Sequence, residues 1–214
     1  MFKINESLYY KTRSNVPGLL YTPEYVKVED NNEDCHTVPS YLWDLIDGNS
    51  YCNLNALQSI IDRIKLDNII EIGVARDKKS FTNILLKNKP KSGIYCGIDV
   101  MDKSFLNNPE ENIYSLQCNS WDQTTIREYL KSIGLISCSL LLIDGWHAMG
   151  NTINDWMYSD LVDVGGVVVL HDTNYHPGPT LLVDAIDTSI YNVEKHCITD
   201  IDWGLTAAYK LKSY

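Results

Sequence analysis

Apolar and polar positions along this chain fall into blocks whose period switches from one segment to the next. Leu54, Leu57, Ile60, Ile61 and Ile64 recur at steps of three and four, which predicts an amphipathic helix. Residues 68–74 form a short, β-branched apolar run, as a buried parallel strand requires. Residues 79–87 return to a helical period, with Phe81, Ile84 and Leu85 on one face. Strand-like runs follow at 94–100, 113–118, 139–144 and 165–171. Helical stretches at 123–133, 151–162 and 181–189 separate or follow them. The chain closes with two more strand-like runs, 198–201 and 205–211, parted only by Asp202-Trp203-Gly204.

Repeated strand–helix units predict an α/β domain: a doubly wound, mostly parallel sheet with helices on both faces. The runs at 68–74, 94–100, 113–118, 139–144, 165–171, 198–201 and 205–211 make it seven-stranded. The last two leave no room for a crossover helix, so a closing hairpin and an antiparallel last strand are expected. Residues 1–35 are rich in Tyr, Asn, Pro and charge, without a clear period. They read as an arm, and Pro39 can open a helix through Trp43 and Ile46. The expected division is residues 1–50 as an arm and helix and 51–214 as the domain.

A chain of 214 residues can bury a full core. Its net charge is −10 and its pI near 4.8. A nucleic-acid binder normally carries a basic stripe; here the longest basic cluster is Lys78-Lys79. Small or neutral substrates suit this charge better. The six cysteines are scattered, with no CxxC. Cys96 and Cys138 lie in apolar runs, where a free thiol acts as a small hydrophobe. The opening Met-Phe-Lys-Ile-Asn-Glu has no apolar signal core, and no apolar run is long enough to span a membrane. A cytoplasmic setting is expected.

Acids and glycines gather at the ends of the strand-like runs, where an open α/β sheet binds its ligands. Glu71 and Gly73 end the first, and Asp99 ends the second. Gly73 would let a ligand approach the backbone, and Asp99 can accept from ribose hydroxyls. The segment after Gly73 lacks the glycines of a dinucleotide fingerprint and the Gly-Lys-Ser/Thr of a P-loop.

Glu71-Ile-Gly73, Gly97-Ile-Asp99, Leu142-Ile-Asp144-Gly145-Trp-His147, Gly165-Gly166 and His171-Asp172 together resemble the class I S-adenosylmethionine-dependent methyltransferases. The nearest subgroup is the metal-dependent small-molecule and sugar O-methyltransferases, with the cephalosporin-hydroxylase-like proteins. The resemblance covers roughly residues 55–212. It implies a Rossmann-like fold, S-adenosylmethionine as cofactor, and Glu71 and Gly73 beside its methionine portion. Asp99 would take the ribose. Ser120 and Trp121 would flank the adenine, with Trp121 placed to stack on it. One departure concerns the turn after Gly73: relatives place glycine and serine there, and this chain has Asp77, Lys78, Lys79 and Ser80.

Asp144, His147, His171 and Asp172 lie just past the fourth and fifth runs. Oxygen-rich clusters suit magnesium, manganese or calcium, and a histidine tilts the preference toward a transition metal. The resemblance gives Asp144 as a metal ligand and His147 as the catalytic base. A pair of acids after the next strand supplies further ligands in relatives, and this chain has His171 and Asp172 there. His171 either replaces a carboxylate ligand or marks a metal-free site.

Plainer roles compete for each residue. Asp144 can cap a turn or touch the cofactor amine, His147 can bond a carbonyl, and His171 can simply pack. His176, beside Pro177-Gly178-Pro179 in what looks like a stiff turn, is expected at the entrance. His36 and His196 have no evident role. Tyr9, Tyr10, Tyr21, Tyr25, Tyr41 and Trp43 of the arm suit an acceptor lid, packing, or a homo-oligomer contact. The expected activity is O-methyl transfer to a small hydroxyl-bearing acceptor such as a sugar or secondary metabolite, aided by Mg2+ or another divalent cation. The alternatives are a metal-independent methyltransferase, a non-catalytic nucleoside-binding module and, more weakly, a nicotinamide dehydrogenase.

Overall fold

The computed structural model describes residues 11–13, 15–23, 51–75, 80–174, 176–198 and 202–214. The expected helix near Trp43 and most aromatics of the arm lie outside them, as does the turn at Asp77, Lys78 and Lys79. A small hairpin pairs β1 (Lys11–Arg13) with β2 (Tyr21–Pro23). The domain then runs α1 (Tyr51–Ile61), β3 (Ile69–Ile72), α2 (Phe81–Asn88), β4 (Tyr95–Asp99), β5 (Ile113–Gln117) and α3 (Gln123–Ser132). It continues with β6 (Cys138–Ile143), α4 (Met149–Trp156), β7 (Val162–His171), α5 (Pro177–Ala185), β8 (Tyr191–His196) and β9 (Leu205–Lys210).

Seven of these strands form one sheet in the order β5-β4-β3-β6-β7-β9-β8. Neighbours are parallel from β5 to β7, and β9 runs antiparallel to both β7 and β8. This is the expected seven-stranded, doubly wound sheet with an antiparallel last strand. Each central strand is buried on both faces, which is why its residues read as continuous apolar runs. Ile70, Ile72, Cys96, Ile98, Leu141, Ile143 and Val168 point to one side, onto Ile126 and Leu130 of α3, Trp156 of α4 and Leu182 of α5. Ile69, Tyr95, Leu140, Leu142, Val167 and Val169 point to the other, onto Leu57 and Ile60 of α1 and Phe81 and Leu85 of α2. The period-two alternation of a strand sorts them.

Several expected elements are displaced. The sheet edge is β8 rather than the run at 198–201, of which 199–201 lie outside the described residues. Tyr191↔Lys210 through His196↔Leu205 set the register of that edge. Burial of Tyr191 in the core fixes the choice, while Ile198 is exposed and belongs to no strand. Cys197 turns the chain at φ +55, and the Asn174 amide donates to the carbonyls of Cys197 and Asp202 at 2.9 and 2.8 Å. The expected helix at 181–189 begins earlier, because Pro177 occupies its first turn, where a missing N–H costs nothing. Pro177-Gly178-Pro179 is therefore helical rather than a free turn. The helix ends at Ala185 because Ile186 turns extended and bridges to Leu19. The helix expected at 151–162 is α4 followed by a 3-10 stretch, Met157–Leu161, and β7 starts before Gly165.

A disulfide joins Cys52 of α1 to Cys197 beyond β8, with Cα atoms 6.0 Å apart. Nothing in the sequence, which separates the two by 145 positions, hints at it. Such bonds belong to oxidising surroundings. Cys96 and Cys138 are free and buried, as expected of small hydrophobes. Among the described residues no helix is long and apolar enough to cross a membrane. Residues 17–20 dock at the end of α5, where Leu20 N–H donates to Ala185 at 2.8 Å and Trp156 donates its indole N–H to Pro17 at 2.9 Å. That is the end of the sheet away from the strand tips described next.

Candidate active site

The carboxyl ends of β3, β4, β5 and β6 border a cavity of about 360 Å³. Gly73, Asp99, Ser120 and Asp144 all line it, with Asn119, Trp146 and Asn151. Gly73 has φ +83, and a Cβ there would overlap the Asp144 carbonyl oxygen. Only glycine lets the tips of β3 and β6 come this close. Asp144 N–H donates to the Ile72 carbonyl at 2.8 Å, which ties the two tips together.

Asp99 is held from three sides. It accepts from Val74 N–H at 2.9 Å and Met101 N–H at 2.7 Å, and Lys103 Nζ lies 3.2 Å from it. Lys103 is buried and also donates to the Val74 carbonyl. This lysine bridges the tips of β3 and β4, a role that sequence reasoning missed. The only hint was an acid and a base four residues apart.

Glu71 and Trp121 stand outside the cavity wall. Glu71 is fully buried, where it accepts from Thr82 Oγ1 at 2.8 Å and from the Tyr95 hydroxyl. Burial pushes its carboxyl up to about 8, against the pull of those two donors. Trp121 is 55% exposed, and a Cβ on Gly150 would lie 3.3 Å from its ring. Ser120 is fixed through its carbonyl, which accepts from Asn154 at 2.7 Å and from the Tyr158 hydroxyl at 2.8 Å.

Beside the cavity, β6 and β7 bring the second group of residues together. Their parallel register ends at Ile143↔Leu170, so Asp144, His171 and Asp172 emerge side by side. His171 Nδ1 lies 2.9 Å from Asp144 Oδ1 and 3.2 Å from Asp172 Oδ2. Its Nε2 meets the Asn53 amide at 3.2 Å, and Phe81 packs edge-on against the ring at 4.9 Å. Asp172 is nearly buried and takes the left-handed conformation at φ +60, rare for a residue with a side chain. Burial opposes charge on both partners, yet the attraction wins. Asp172 and Asp144 hold the His171 imidazole well above its ordinary range, and His171 holds the Asp172 carboxyl well below its own.

His147 reaches Asp172 Oδ2 at 2.6 Å through Nε2. The contact lies off the N–H axis, so this buried nitrogen has no aligned hydrogen-bond partner. His176 is buried and stacks on His147, with ring centroids 4.0 Å apart. It sits at the start of α5 against Trp203 rather than at an open entrance.

The ligand atoms of Asp144, His171 and Asp172 all lie within 4.8 Å of one another. Two carboxylates and an imidazole at that separation, beside an unaligned buried nitrogen, fit a divalent ion. Tyr21 lies in β2 of the hairpin. The other aromatics considered for a lid lie outside the described residues.

No family model matches the chain, and no curated protein matches it in sequence. Solved structures do match. MycE methyltransferase from the mycinamycin biosynthetic pathway, in complex with Mg, SAH and mycinamycin VI, aligns with a TM-score of 0.54 at 18% identity, over 84% of this chain and 55% of that one. A second MycE structure, with Mg and SAH, gives 0.52 at 17% over 75% and 49%. An rRNA methylase from Streptococcus thermophilus gives 0.53 at 10% over 75% of this chain and 97% of that chain. The chain thus has the fold of the class I S-adenosylmethionine-dependent methyltransferases. It spans about half the length of the MycE chains.

Proposed function

We propose that this protein is an S-adenosylmethionine-dependent O-methyltransferase for a small hydroxyl-bearing acceptor, assisted by a divalent cation. One observation carries the reading. Asp144 belongs both to the wall of the nucleoside-sized cavity and to the cluster with His171 and Asp172. A donor in the cavity and an acceptor at the cluster would therefore face each other.

In this reading Asp99 accepts from the ribose hydroxyls, Gly73 leaves room for the chain of the cofactor, and Ser120 flanks its base, with Trp121 left outside the cavity wall. The methyl group is already activated by the sulfonium, so the protein must align the acceptor oxygen and remove its proton. His147 takes that proton, and Asp172 at 2.6 Å stabilises the resulting imidazolium. Asp144, Asp172 and His171 would hold the ion, which when bound lowers the acceptor hydroxyl's pKa. Glu71 acts from below the cavity by fixing Tyr95 and Thr82 rather than by touching the methionine portion.

The fold's likeness to MycE, whose structures contain Mg and SAH, supports the cofactor and ion. The net charge of −10 speaks against an RNA acceptor. A metal-independent version of the same reaction is the second reading, favoured by His171 already standing between Asp144 and Asp172. Calorimetry with S-adenosylmethionine, then with magnesium or manganese, tests both layers on the wild type, Asp99→Asn and Asp144→Ala. An acceptor screen scored for demethylated cofactor follows. Cofactor binding without turnover for any acceptor would favour a nucleoside-binding module, and ion binding unchanged in Asp144→Ala would remove the metal from the mechanism.

A further inference from the structure

We infer that Cys52–Cys197 is a site of thiol–disulfide exchange with a dithiol reductant, and that its covalent state sets the hold of α1 on the His171 ring. The consequence for turnover rests on the reaction proposed above; the link from the disulfide to His171 does not.

Cys52 stands in the first turn of α1 and is exposed, while Cys197 is half-buried beyond β8. An exposed disulfide is open to attack by a thiolate, and such bonds are the labile ones. The next residue, Asn53, is buried, and its side-chain amide stands 3.2 Å from His171 Nε2. The other ring nitrogen faces Asp144 at 2.9 Å and Asp172 at 3.2 Å. Asn53 thus helps to set the rotation of the ring, and with it what Nδ1 offers to the two carboxylates.

The start of a helix frays readily, because its first N–H groups lack partners within the helix. The apolar anchors Leu57, Ile60 and Ile61 lie further along α1. The disulfide ties the first turn, and its far end is held independently. Cys197 gives its carbonyl to the Asn174 amide at 2.9 Å, Asn174 N–H donates to the Trp203 carbonyl at 2.9 Å, and a Cβ on Gly204 would overlap the Asn174 side chain. None of these contacts passes through sulfur. Opening the bond therefore frees the α1 side and leaves the segment between β8 and β9 in place.

Two electrons pass from the reductant to the cysteine pair. One thiolate of the dithiol attacks the exposed Cys52 Sγ, and Cys197 leaves as a thiolate and takes up a proton. The second thiol of the reductant then displaces Cys52, which takes up the second proton, leaving two protein thiols and an oxidised, cyclic reductant. An oxidised dithiol reverses both steps.

The test compares the full chain oxidised, opened with dithiothreitol, and re-oxidised. The His171 ring nitrogens are followed by NMR, assigned by their absence in His171→Gln, and turnover is measured with an acceptor found by the screen. Opening the bond should move the His171 signals and lower turnover roughly tenfold, the usual loss when a partner that orients a site histidine is removed. Re-oxidation should restore both. Cys52→Ser, which cannot close the bond, should match the opened protein and ignore dithiothreitol. Asn53→Ala should move the His171 signals in the oxidised protein and remove their response to the reductant. Unmoved His171 signals in a folded, opened protein overturn the proposal, whatever turnover does. So does unfolding on reduction, which would make the bond a plain staple. Moving signals without methyl transfer to any acceptor would defeat the proposed reaction and leave the exchange site standing. Fixed signals in an active enzyme would defeat the exchange site alone.

Discussion

His171 Nδ1 lies 2.9 Å from Asp144 Oδ1, across the tips of two adjacent parallel strands. The imidazole, held well above its ordinary range, supplies the positive charge that two neighbouring acids need. An ion entering here must displace a proton as well as water. Replacing the imidazole by a carboxylate removes that competitor. His171→Glu should bind magnesium roughly tenfold more tightly than the wild type, about 1.4 kcal/mol. Calorimetry on the two proteins checks it, and equal or weaker binding would count against this triad as the ion's ligands.

Gly73 should tolerate no side chain. Its φ of +83 and the Asp144 carbonyl against its Cα leave no place for a methyl group. Gly73→Ala should lower stability by roughly 2–4 kcal/mol, with strain and overlap acting together. Urea unfolding measures this, and a loss under about 0.5 kcal/mol, the range of neutral surface changes, would show the strand tips to be looser than described.

Glu71 makes a signed prediction about pH. Its folded value of about 8 lies above the ordinary carboxyl value of 4.5, so the folded state binds the extra proton. The linkage slope is negative across that window: stability declines as pH rises from about 4.5 to about 8. Raising a carboxyl's pKa by one is worth about 1.4 kcal/mol, so the folded protein is less stable above that window than below it by on the order of a few kcal/mol, the cost of ionising a buried acid. Glu71→Gln keeps the shape and cannot ionise. Its stability should fall less steeply between pH 5 and 8 than that of the wild type, and parallel urea–pH profiles would refute the burial argument.

Lys103 should govern cofactor affinity through Asp99, 3.2 Å from it. Lys103→Met removes a buried partner of that carboxylate and the bond to Val74. S-adenosylmethionine should bind at least roughly tenfold more weakly, and Lys103→Arg should restore part of the loss. Unchanged affinity in Lys103→Met would reduce the residue to packing.

The disulfide closes a loop of 145 positions. Its reduction should cost about 3–5 kcal/mol by the loop-entropy argument. Cys52 precedes Asn53, which contacts His171, and Cys197 offers its carbonyl to Asn174. Urea midpoints with and without a dithiol, repeated on Cys52→Ser, measure the effect; identical midpoints would mean the bond constrains nothing.

Local pattern determined much of this molecule. The apolar runs ending at Gly73, Asp99 and Asp144 specified buried strands and put their polar ends at one edge, because a parallel sheet covered on both faces admits only apolar side chains until the strand stops. Asp144, His171 and Asp172 could be read as neighbours for the same reason. Pairing between distant segments decided the rest. The sheet edge became β8 because Tyr191 fills the core beside β9, which no local period at 198–201 could announce. The histidine stack needs α5 seated on the His147 loop, and the Cys52–Cys197 bond needs α1 beside the end of β8. Lys103 gains its role from its contacts with Asp99 and Val74, and Glu71 its raised carboxyl chiefly from burial. Burial and long-range contact are properties of the assembled sheet, and no window of sequence contains them.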